Sequence, residues 1–414
     1  MNSNAGTIKN IEYLLLNVPF HERCAQTMEI RGLGWSVIGL TKVTTQAGVV
    51  GLGETIQGYT WGADASHKRE ALIGRNLFDH LWDDSLGAGL QMALFDAAGK
   101  VLDIPCHKLF GTQFRAACPV SWWAQDMAPE AWAAEARTAV ENGFTTMKVK
   151  ARPWFDIEAQ LAAVSAAVPD YFKLDTDFNT MLLGVDAAAP LINRLEDRYP
   201  LLAIVESPIP QDDVAGNKLL RQKIRSAISM HIGQPPVMTA ISQGVCDGFV
   251  LGGGVSQVLR DGTLAAHAKM PFWLQMVGTG FTTMFAVQLG AVLEQARWPA
   301  IPCINIYSHT LLKDFKVEGG HIAVPEGPGL GIEPDWDAIE GFRVADDFRK
   351  IDAKQIHTIH WPDGRQSHYR DGSYRDDFTT GKMTGFLPGI CLERRIEDGS
   401  EEFAREYKDL FPDV

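Results

Sequence analysis

The sequence predicts an α/β protein built on a parallel β/α barrel with a second domain. From about Cys118, over roughly 190 residues, short apolar runs alternate with amphipathic helical runs, as in parallel strands joined by helical crossovers. No Gly-rich phosphate loop follows the first of these runs, which disfavours an open doubly wound sheet. The chain of 414 residues is also too long for one compact core.

The N-terminal residues 1–112 predict strands followed by helices. The runs IEYLLLNVPF and WSVIGLTKVTTQAGVVGLGET are rich in β-forming residues, and QAG within the second is a hairpin signal. In DSLGAGLQMALFDAAGKVLD, apolar residues such as Leu86, Leu90 and Leu94 recur at helical spacing. We therefore predict an α+β domain here.

The barrel is predicted at residues 113–343. Helical runs such as APEAWAAEARTAVENG and DIEAQLAAVSAAV lie between most of its candidate strands. These strands are, in order, CPVSWW, TTMKVK, YFKLDTD, LLAIVE, AISMHI, DGFVL, PFWLQM and PCINIY.

The C-terminal residues 344–414 break this rhythm. The stretch WPDGRQSHYRDGSYRDD holds two Asp-Gly turn signals and predicts hairpins. Its histidine, arginine and tyrosine content also suggests anion binding. We favour a solvated tail that folds back on the first domain.

The composition disfavours some classes of partner and indicates the cellular compartment. A net charge of −13 disfavours nucleic acid and anionic membranes as partners. Six cysteines lie scattered without a CxxC pair, which favours reduced thiols over disulfides or a zinc site. There is neither a signal-like apolar segment at the start nor an apolar run of membrane-spanning length. We expect a cytoplasmic protein.

Charged side chains follow successive barrel strands. The second strand ends in Lys148 and Lys150, the third in DTDFN with Asp175 and Asp177, and the fourth in Glu206. Residues two apart on a strand share a face. Functional side chains of β/α barrels come from the carboxyl ends of the strands. Lysines alone could protect an exposed edge strand; together with these carboxylates they predict an active site.

This combination suggests proton abstraction next to a carboxylate. Carboxylates at adjacent strand ends would bind a hard divalent ion such as Mg²⁺. The ion would stabilise the enediolate formed when the α-proton leaves. A lysine beside a metal and a second lysine has a lowered pKa, which suits a general base. The other lysine would lower that pKa or polarise the substrate.

Three segments resemble the enolase superfamily, in its mandelate racemase/muconate lactonizing branch, over roughly residues 8–340. MALFDAAGKVLDIPCHKLFG is similar to the helix that leads into the barrel, GFTTMKVK to the Lys-x-Lys strand, and VEGGHIAVPEGPGLGIEPD to the closing Gly-x-Leu-Gly signature. The resemblance implies a modified TIM barrel, (β/α)7β-like. It also implies an α+β capping domain formed by the N-terminal segment and the C-terminal tail, and a bound Mg²⁺.

The resemblance also implies roles for single residues. Lys150 matches the base of the Lys-x-Lys motif, and Lys148 matches its partner. Asp177 matches the first metal ligand because DFN parallels the family's Asp-x-Asn, with Asp175 as the alternative. Glu206 in ESP matches the second ligand.

Strand five departs from this pattern. The family has a third acidic ligand there, whereas this chain reads ISMHIGQPP, with His231 and Ile232 at the position. An imidazole is a less usual Mg²⁺ ligand than a carboxylate. His231 is either the third ligand or a packing or substrate-contacting residue, and Gln234 could offer a carbonyl oxygen.

The later strands lack an obvious second acid or base. Gly252 stands where one group of the branch has a lysine, and Gln275 and Thr279 stand where another has a histidine. Asp247 lies at the wrong end of strand six, so we expect a structural role. His309 could supply a proton or be a loop histidine. Racemisation, which needs groups on both substrate faces, is therefore disfavoured.

Four further residues are candidates for substrate contact. Trp122 and Trp123 are adjacent on the first strand, so only one of them can face the barrel mouth. Arg31 and His21 fall where the family has its specificity loop, and could bind a distal carboxylate or hydroxyl. Otherwise they belong to a mobile surface loop.

The leading hypothesis is a lyase, an acid-sugar or other hydroxy-carboxylate dehydratase, acting on a small-molecule carboxylate. The alternatives are a racemase or cycloisomerase of the branch, or a lapsed or metal-independent barrel retained for ligand binding or assembly. In the metal-independent case Asp177 and Glu206 would pair directly with the lysines. A homo-oligomer is expected from the resemblance.

Overall fold

The structure, a computed structural model, describes residues 5–412 apart from residues 58, 60, 63 and 64. Its N-terminal part contains β1 (Ile8–Asn17), α1 (Ala25–Arg31), β2 (Val37–Thr45), β3 (Val50–Ile56), α2 (Ser66–Leu72), α3 (Ala88–Leu102) and α4 (His107–Phe110). The strands form an antiparallel sheet in the order β1–β2–β3, and the predicted QAG turn joins β2 to β3. The predicted α+β capping domain is confirmed.

Helix α3 packs directly on the backbone of this sheet. A Cβ atom on Gly53 would lie 2.2 Å from the carbonyl oxygen of Gly89, and one on Gly51 would lie 2.1 Å from that of Ala93. The two glycines are two positions apart on β3, so they share a face. Their missing side chains let helix and strand approach closely.

The barrel follows the capping domain. Its elements are β4 (Ala117–Pro119), β5 (Trp122–Ala124), α5 (Pro129–Glu141), β6 (Thr146–Lys150), α6 (Ile157–Ser165), β7 (Lys173–Asp177), α7 (Val185–Arg198), β8 (Leu202–Glu206), α8 (Val214–Arg221), β9 (Ala227–His231), α9 (Val237–Gln243), β10 (Gly248–Leu251), α10 (Val255–His267), β11 (Phe272–Leu274), α11 (Gly280–Val292), β12 (His321–Ala323) and α12 (Trp336–Gly341). Within the described chain, seven parallel strands pair in sequence order from β5 to β11. The predicted β/α barrel is therefore confirmed.

Two predicted strands differ from the structure. CPVSWW is divided, because its first part, β4, pairs antiparallel with β12 while β5 joins the parallel sheet. PCINIY is not a strand, so the prediction of an eighth strand was wrong. Pro302 lacks a backbone N–H, Cys303 has φ 55°, and Ile304–Ile306 forms a short 3₁₀ helix.

The PCINIY region nevertheless closes the barrel between β11 and β5. The backbone N–H of Ile301 donates to the carbonyl of Leu274 in β11 (2.9 Å). The Asn305 amide accepts from the Trp123 backbone N–H (3.1 Å) and donates to the Trp123 carbonyl (2.8 Å). A side-chain amide thus replaces part of the ladder that an eighth strand would supply.

The tail contains β13 (Gln355–His360), β14 (Gln366–Tyr369), α13 (Tyr374–Thr379), β15 (Cys391–Ile396) and α14 (Glu401–Leu410). The first Asp-Gly pair turns β13 into β14, as predicted. The second was wrongly predicted as a hairpin. There the Asp371 side chain accepts from the Ser373 backbone N–H (2.8 Å), and the chain enters α13.

The tail contacts both other parts of the molecule. Lys350 forms an ion pair with Glu29 of α1 (2.5 Å), and the Gln26 amide donates to the Arg394 carbonyl (2.9 Å). A second hydrophobic core joins the tail to barrel loops. It comprises Trp154, Phe155 and Met181 of the loops, with Ile359, Tyr374, Phe378, Ile390 and Leu392 of the tail. None of the described helices is both long and apolar enough to span a membrane.

Candidate active site

Strand register brings the predicted lysines and carboxylates to one end of the barrel. Lys148 pairs with Asp175, Lys150 with Asp177, and Asp177 with Glu206 on adjacent strands. All five side chains share one parity along their strands, so they project to the same face of the sheet. Lys148, Asp177 and Glu206 are fully buried, whereas the Lys150 side chain is 17 % exposed. Lys150 is therefore the lysine that a substrate can reach.

The lysines and carboxylates form a compact ion-pair network. The Lys148 ammonium pairs with Glu206 and lies 3.7 Å from Oδ2 of Asp177. The Lys150 ammonium donates to the same Oδ2 (2.5 Å), while Oδ1 accepts from the backbone N–H of Asn179 (2.8 Å). This direct pairing is the arrangement that the metal-independent hypothesis predicts.

The network fixes the charge of its buried members. Burial by itself would lower the pKa of Lys148, but the carboxylates of Glu206 and Asp177 outweigh burial and raise it above the usual range. Burial would raise the pKa of Asp177, but Lys150 and Lys148 outweigh it and lower the pKa. The two carboxylates therefore favour the charged form of Lys148, which suits the polarising role better than the base role.

Asp175 lies one step deeper in the barrel than Asp177. Both of its carboxylate oxygens are buried without a hydrogen-bond donor. Burial raises its pKa well above the usual value, and Glu206 and Asp177 add to that effect against Lys148. Since Asp177 contacts Lys150 and Asp175 makes no such contact, the geometry favours Asp177 as the ligand at the mouth.

His231 lies beside the second carboxylate. Its Nε2 is 3.3 Å from Oε1 of Glu206, and its ring is 40 % exposed. The backbone N–H of His231 donates to Oε1 of Gln211 (2.8 Å). Gln234 does not join this group, because its Oε1 accepts from the Gln211 amide (3.2 Å) at the surface.

The donor atoms suit a divalent ion in their chemistry. Among the described residues, no group of three or more His, Cys, Asp and Glu side chains is already arranged around a metal position. Oε1 of Glu206 is buried and accepts no hydrogen bond, so a lone pair remains available beside His231. Asp177 and Glu206 supply the hard oxygens that Mg²⁺ prefers, and His231 supplies a nitrogen. The donor chemistry therefore suits the ion, with one unusual ligand, whereas the described side chains do not surround a common position.

The other candidates for acid or base have different partners. Asp247 pairs with Arg221 (2.7 Å) and accepts from the Ile228 backbone N–H (2.9 Å) at the start of β10. His309 lies 3.4 Å from Asp335 and accepts from the backbone N–H of the nearby Leu311 (2.9 Å). Both contacts agree with the structural roles considered for these residues.

Thr279, which lies between β11 and α11, contacts the capping domain. Its hydroxyl donates to Glu54, and the Thr282 backbone N–H also donates to that carboxylate (2.9 Å). Glu54 is fully buried on β3, and burial raises its pKa. Sequence analysis missed Glu54, because no pattern in GLGET links this capping strand to the start of α11.

Aromatic side chains line one side of the barrel mouth. Trp123 faces the interior in register with Lys148, whereas the Trp122 indole donates outward to Glu135 of α5 (2.7 Å). Trp35 of the capping domain stacks on Trp123 with ring centroids 5.9 Å apart, and Tyr59 lies 4.2 Å from Trp35. Trp35 and Tyr59 were missed, since long-range contacts leave no local signal.

Gln275 and Tyr59 meet at the end of β11. The Gln275 amide donates to the Tyr59 hydroxyl (2.9 Å). Burial first, and then Cys303, raise the pKa of Tyr59 to about 12, although Lys148 opposes them. Gly252 has a comparable position at the end of β10, where a Cβ would lie 2.8 Å from the Gln275 carbonyl oxygen. The described ends of β10 and β11 thus offer Gly252 and the Gln275 amide, which meets the Tyr59 phenol of the capping domain. They offer no acid–base pair.

Arg31 and His21, the two candidates from the N-terminal loop, lie in different places. Nε of Arg31 lies 3.6 Å from Oδ1 of Asp126, at the loop after β5. Nδ1 of His21 accepts from the Arg23 backbone N–H (3.4 Å), and His21 lines a different groove with Asn305.

Comparison with known proteins places the chain in a family. Residues 131–338 match the family described as Enolase C-terminal domain-like. D-xylonate dehydratase of Haloferax volcanii is 26 % identical over 358 residues, covering 74 % of this chain and 85 % of its own. Muconate cycloisomerase 1-2 of Acinetobacter lwoffii is 24 % identical over 377 residues, covering 81 % and 95 %.

Solved structures share the fold. Muconate cycloisomerase from Pseudomonas fluorescens superposes with a TM-score of 0.65 at 22 % identity, over 82 % of this chain and 99 % of its own. Members of this superfamily are enzymes that generally use Mg²⁺. The chain belongs to the enolase superfamily, in its mandelate racemase/muconate lactonizing branch.

Proposed function

We propose that this protein is a lyase that dehydrates an acid sugar or another small hydroxy-carboxylate through abstraction of the proton α to the carboxylate. The observation that carries the proposal is that a partly exposed Lys150 and a buried Lys148 share the carboxylate of Asp177 at one barrel mouth. A relative is a D-xylonate dehydratase, which is a lyase on such an acid. The proposal extends that reaction class to this chain without naming the substrate.

In this mechanism Lys150 transfers the protons and Lys148 stabilises the developing charge. Lys150 in its neutral amine form takes the α-proton and becomes an ammonium, so the C–H bond breaks and negative charge develops on the substrate carboxylate. Lys148, held by Glu206 and Asp177, stabilises that charge from a fixed position. The Lys150 ammonium then donates its proton to the β-hydroxyl. The C–O bond breaks, a C=C bond forms and water leaves, so one lysine suffices for a syn elimination.

Asp177, Glu206 and His231 are the residues that would hold Mg²⁺ in this proposal. When bound, the ion would polarise the substrate carboxylate and stabilise its developing charge. Its binding requires the lysine ammonium groups to share the carboxylate oxygens that they now occupy.

A second candidate function has one observation in its favour. Direct pairing of Lys148 with Glu206 and of Lys150 with Asp177 satisfies all four charges without a metal. A metal-independent or lapsed barrel that binds a ligand would have this arrangement. A racemase is disfavoured, because the described ends of β10 and β11 offer Gly252 and Gln275 in place of a second acid or base. A cycloisomerase of the branch stays an alternative, since the two-face requirement does not apply to it.

The compartment and assembly are also proposals. Scattered cysteines without a CxxC pair favour a reducing compartment, so we place the protein in the cytoplasm. We expect a homo-oligomer from the family resemblance.

The test is solvent exchange of the α-proton. Acid sugars incubated in D₂O with the protein and Mg²⁺ should exchange that proton, as followed by NMR. Lys150→Ala should lower the exchange rate by roughly 10²–10⁴-fold, the usual contribution of a general base. Lys223→Ala, which removes an exposed lysine on the opposite side of the fold from this network, is the control. An unchanged rate in Lys150→Ala would remove it as the base.

A further inference from the structure

Four arginines surround one buried carboxylate beside the lysine network. Asp126 follows β5, Arg152 follows β6, and Arg31 ends helix α1 of the capping domain. Arg375 and Arg394 come from α13 and β15 of the tail. We call these four arginines the arginine cluster. All three parts of the fold therefore contribute to a single positively charged region.

Asp126 is the hub of the cluster. Arg394 donates from Nη1 to the Asp126 carbonyl (3.0 Å) and pairs through Nη2 with its carboxylate. The Trp154 indole donates to the same carboxylate (2.8 Å), and Nε of Arg31 lies 3.6 Å from it. The arginines lower the pKa of Asp126 despite its burial, which by itself would raise it.

Asp126 alone does not balance the four positive charges of the arginine cluster. Arg152 is buried, the Arg394 side chain is 7 % exposed, and the Arg31 side chain is 14 % exposed. Their three Nε atoms are buried without hydrogen-bond acceptors. The buried carboxylate of Asp177 also attracts Arg152, but it already serves Lys150 and Lys148. Two further acids near the cluster, Asp371 and Asp376, lie at the exposed rim. Burying cations without anions is costly, so the cluster is suited to a further anion.

The positive charges of the cluster also affect the pKa of a neighbouring histidine, His357. Burial first, and then the positive charges of Arg394 and Arg31, lower the pKa of His357 to about 4. His357 is therefore neutral at pH 7 and adds no charge to the cluster. Its ring lies 3.3 Å from the Tyr374 hydroxyl at the cluster's edge.

The cluster adjoins the lysine that we propose as the base. Nη1 of Arg152 donates to the Asp177 carbonyl (3.0 Å), and Nη2 donates to Oδ1 of Asn179. That same Oδ1 lies 3.5 Å from Nζ of Lys150. Asn179 thus joins the cluster to the lysine network, and a substrate at Lys150 would extend towards the arginines.

We propose that the arginine cluster binds a second anionic group of the substrate, remote from the carboxylate at the lysines. The substrate class would then be a hydroxy acid with two oxyanions, the second being a carboxylate or a phosphate. This inference rests on the proposed function, because it places the reacting carboxylate at Lys148 and Lys150. Guanidinium groups suit both oxyanions, since they can bind them with paired N–H donors.

Two of the four arginines of the cluster belong to the tail. Arg375 and Arg394 lie beyond the family match, which ends at residue 338. Solved relatives such as the Pseudomonas fluorescens enzyme are covered almost completely, yet 18 % of this chain has no counterpart in that match.

The test compares acids that differ only at the terminal carbon. Calorimetry measures binding to the full chain of an aldonate, of the matching aldarate and of the matching terminal phosphate ester, for five- and six-carbon sugars. Steady-state kcat/KM is measured for any acid that turns over. We expect a doubly anionic acid to bind at least tenfold more tightly than its matching aldonate. Whether the aldarate or the phosphate ester shows this gain identifies the second oxyanion.

Substitutions assign the gain to the cluster. Arg31→Gln and Arg375→Gln should each lower affinity for the doubly anionic acid about tenfold, leaving the aldonate unaffected. Arg375 is exposed and makes no described contact that holds the fold, so it covers the case in which Arg31→Gln does not fold. Arg405→Gln, at an exposed position on α14, is the matched control and should change neither affinity.

Two results would overturn the inference. One is the absence of any preference for doubly anionic acids. The other is an equal loss for aldonate and doubly anionic acid in Arg31→Gln and Arg375→Gln, which would mean that the arginines only hold the tail in place. The proposed function fails separately, if doubly anionic acids bind through the cluster but no acid exchanges its α-proton.

Discussion

His231 is the residue on which the strength of metal binding depends most directly. Its Nε2 lies 3.3 Å from the unoccupied Oε1 of Glu206. An imidazole at this position gives the site two anionic ligands and a neutral nitrogen in place of three anions. Since Mg²⁺ prefers charged oxygen ligands, we expect this composition to bind the ion more weakly than three carboxylates would.

We predict that removing either ligand weakens Mg²⁺ binding. Calorimetric titration of the metal-stripped protein should show saturable binding, and Glu206→Gln should weaken it about tenfold or more, at least the effect of disturbing an outer-shell partner. His231→Ala should weaken it in the same direction. His321→Ala, at an exposed histidine on β12, is the control. If wild-type protein binds no Mg²⁺, the metal-independent pairing with the lysines is favoured instead.

The central site residues were predictable from strand parity. Lys148, Lys150, Asp177 and Glu206 end consecutive strands, and parallel register then forces them onto one face. The partners of Asp126 were not predictable, because they come from three distant segments of the chain. The raised pKa of Lys148 also depends on which carboxylate its ammonium reaches, and only the three-dimensional structure determines that.

At the scale of elements, close packing of α3 on β3 sets the position of the capping domain's sheet. Gly51 and Gly53 leave space for the carbonyl oxygens of Ala93 and Gly89. The same strand carries Glu54 to the start of α11, where Thr279 and Thr282 bind it. The glycines therefore affect how the capping domain lies against the barrel mouth.

We predict that Gly53→Ala destabilises the protein by about 1–3 kcal/mol or more, because its methyl group would lie 2.2 Å from a helix carbonyl oxygen. Denaturant unfolding measures the change. Gly341→Ala is the control, since no atom lies within 4 Å of its Cβ position and alanine favours the helix that it ends. Equal stabilities of the two variants would contradict the close-packing argument.

Most elements could be predicted because their signals are local. Helix α3 and the β2–β3 hairpin follow from periodicity and turn residues. PCINIY failed because its apolar composition suits a strand, whereas Cys303 adopts a left-handed backbone and Asn305 closes the barrel with its side chain. That choice depends on contacts with β5 and β11, which no local pattern encodes.

At the scale of the whole molecule, a second hydrophobic core holds the tail against the barrel loops. The rings of Trp154 and Phe378 lie 5.7 Å apart, and Trp154 and Tyr374 lie 4.9 Å apart at nearly a right angle. This core is separate from the large core that joins the capping domain and the barrel. We therefore expect the tail to loosen before the rest of the molecule unfolds, and its release would remove Arg375 and Arg394 from the arginine cluster.

We predict that Phe378→Ala releases the tail selectively. Phe378 is 2 % exposed, and truncating a buried phenylalanine costs about 3–5 kcal/mol. Because its contacts lie in the second core, hydrogen exchange measured by mass spectrometry should accelerate in β13, β15 and the loop around Trp154, and stay slow in β6 to β9. Phe114→Ala, at a position 59 % exposed, should change neither region. Faster exchange throughout the barrel in Phe378→Ala would mean that the two cores unfold as one unit. The tail would then be an integral part of the barrel mouth.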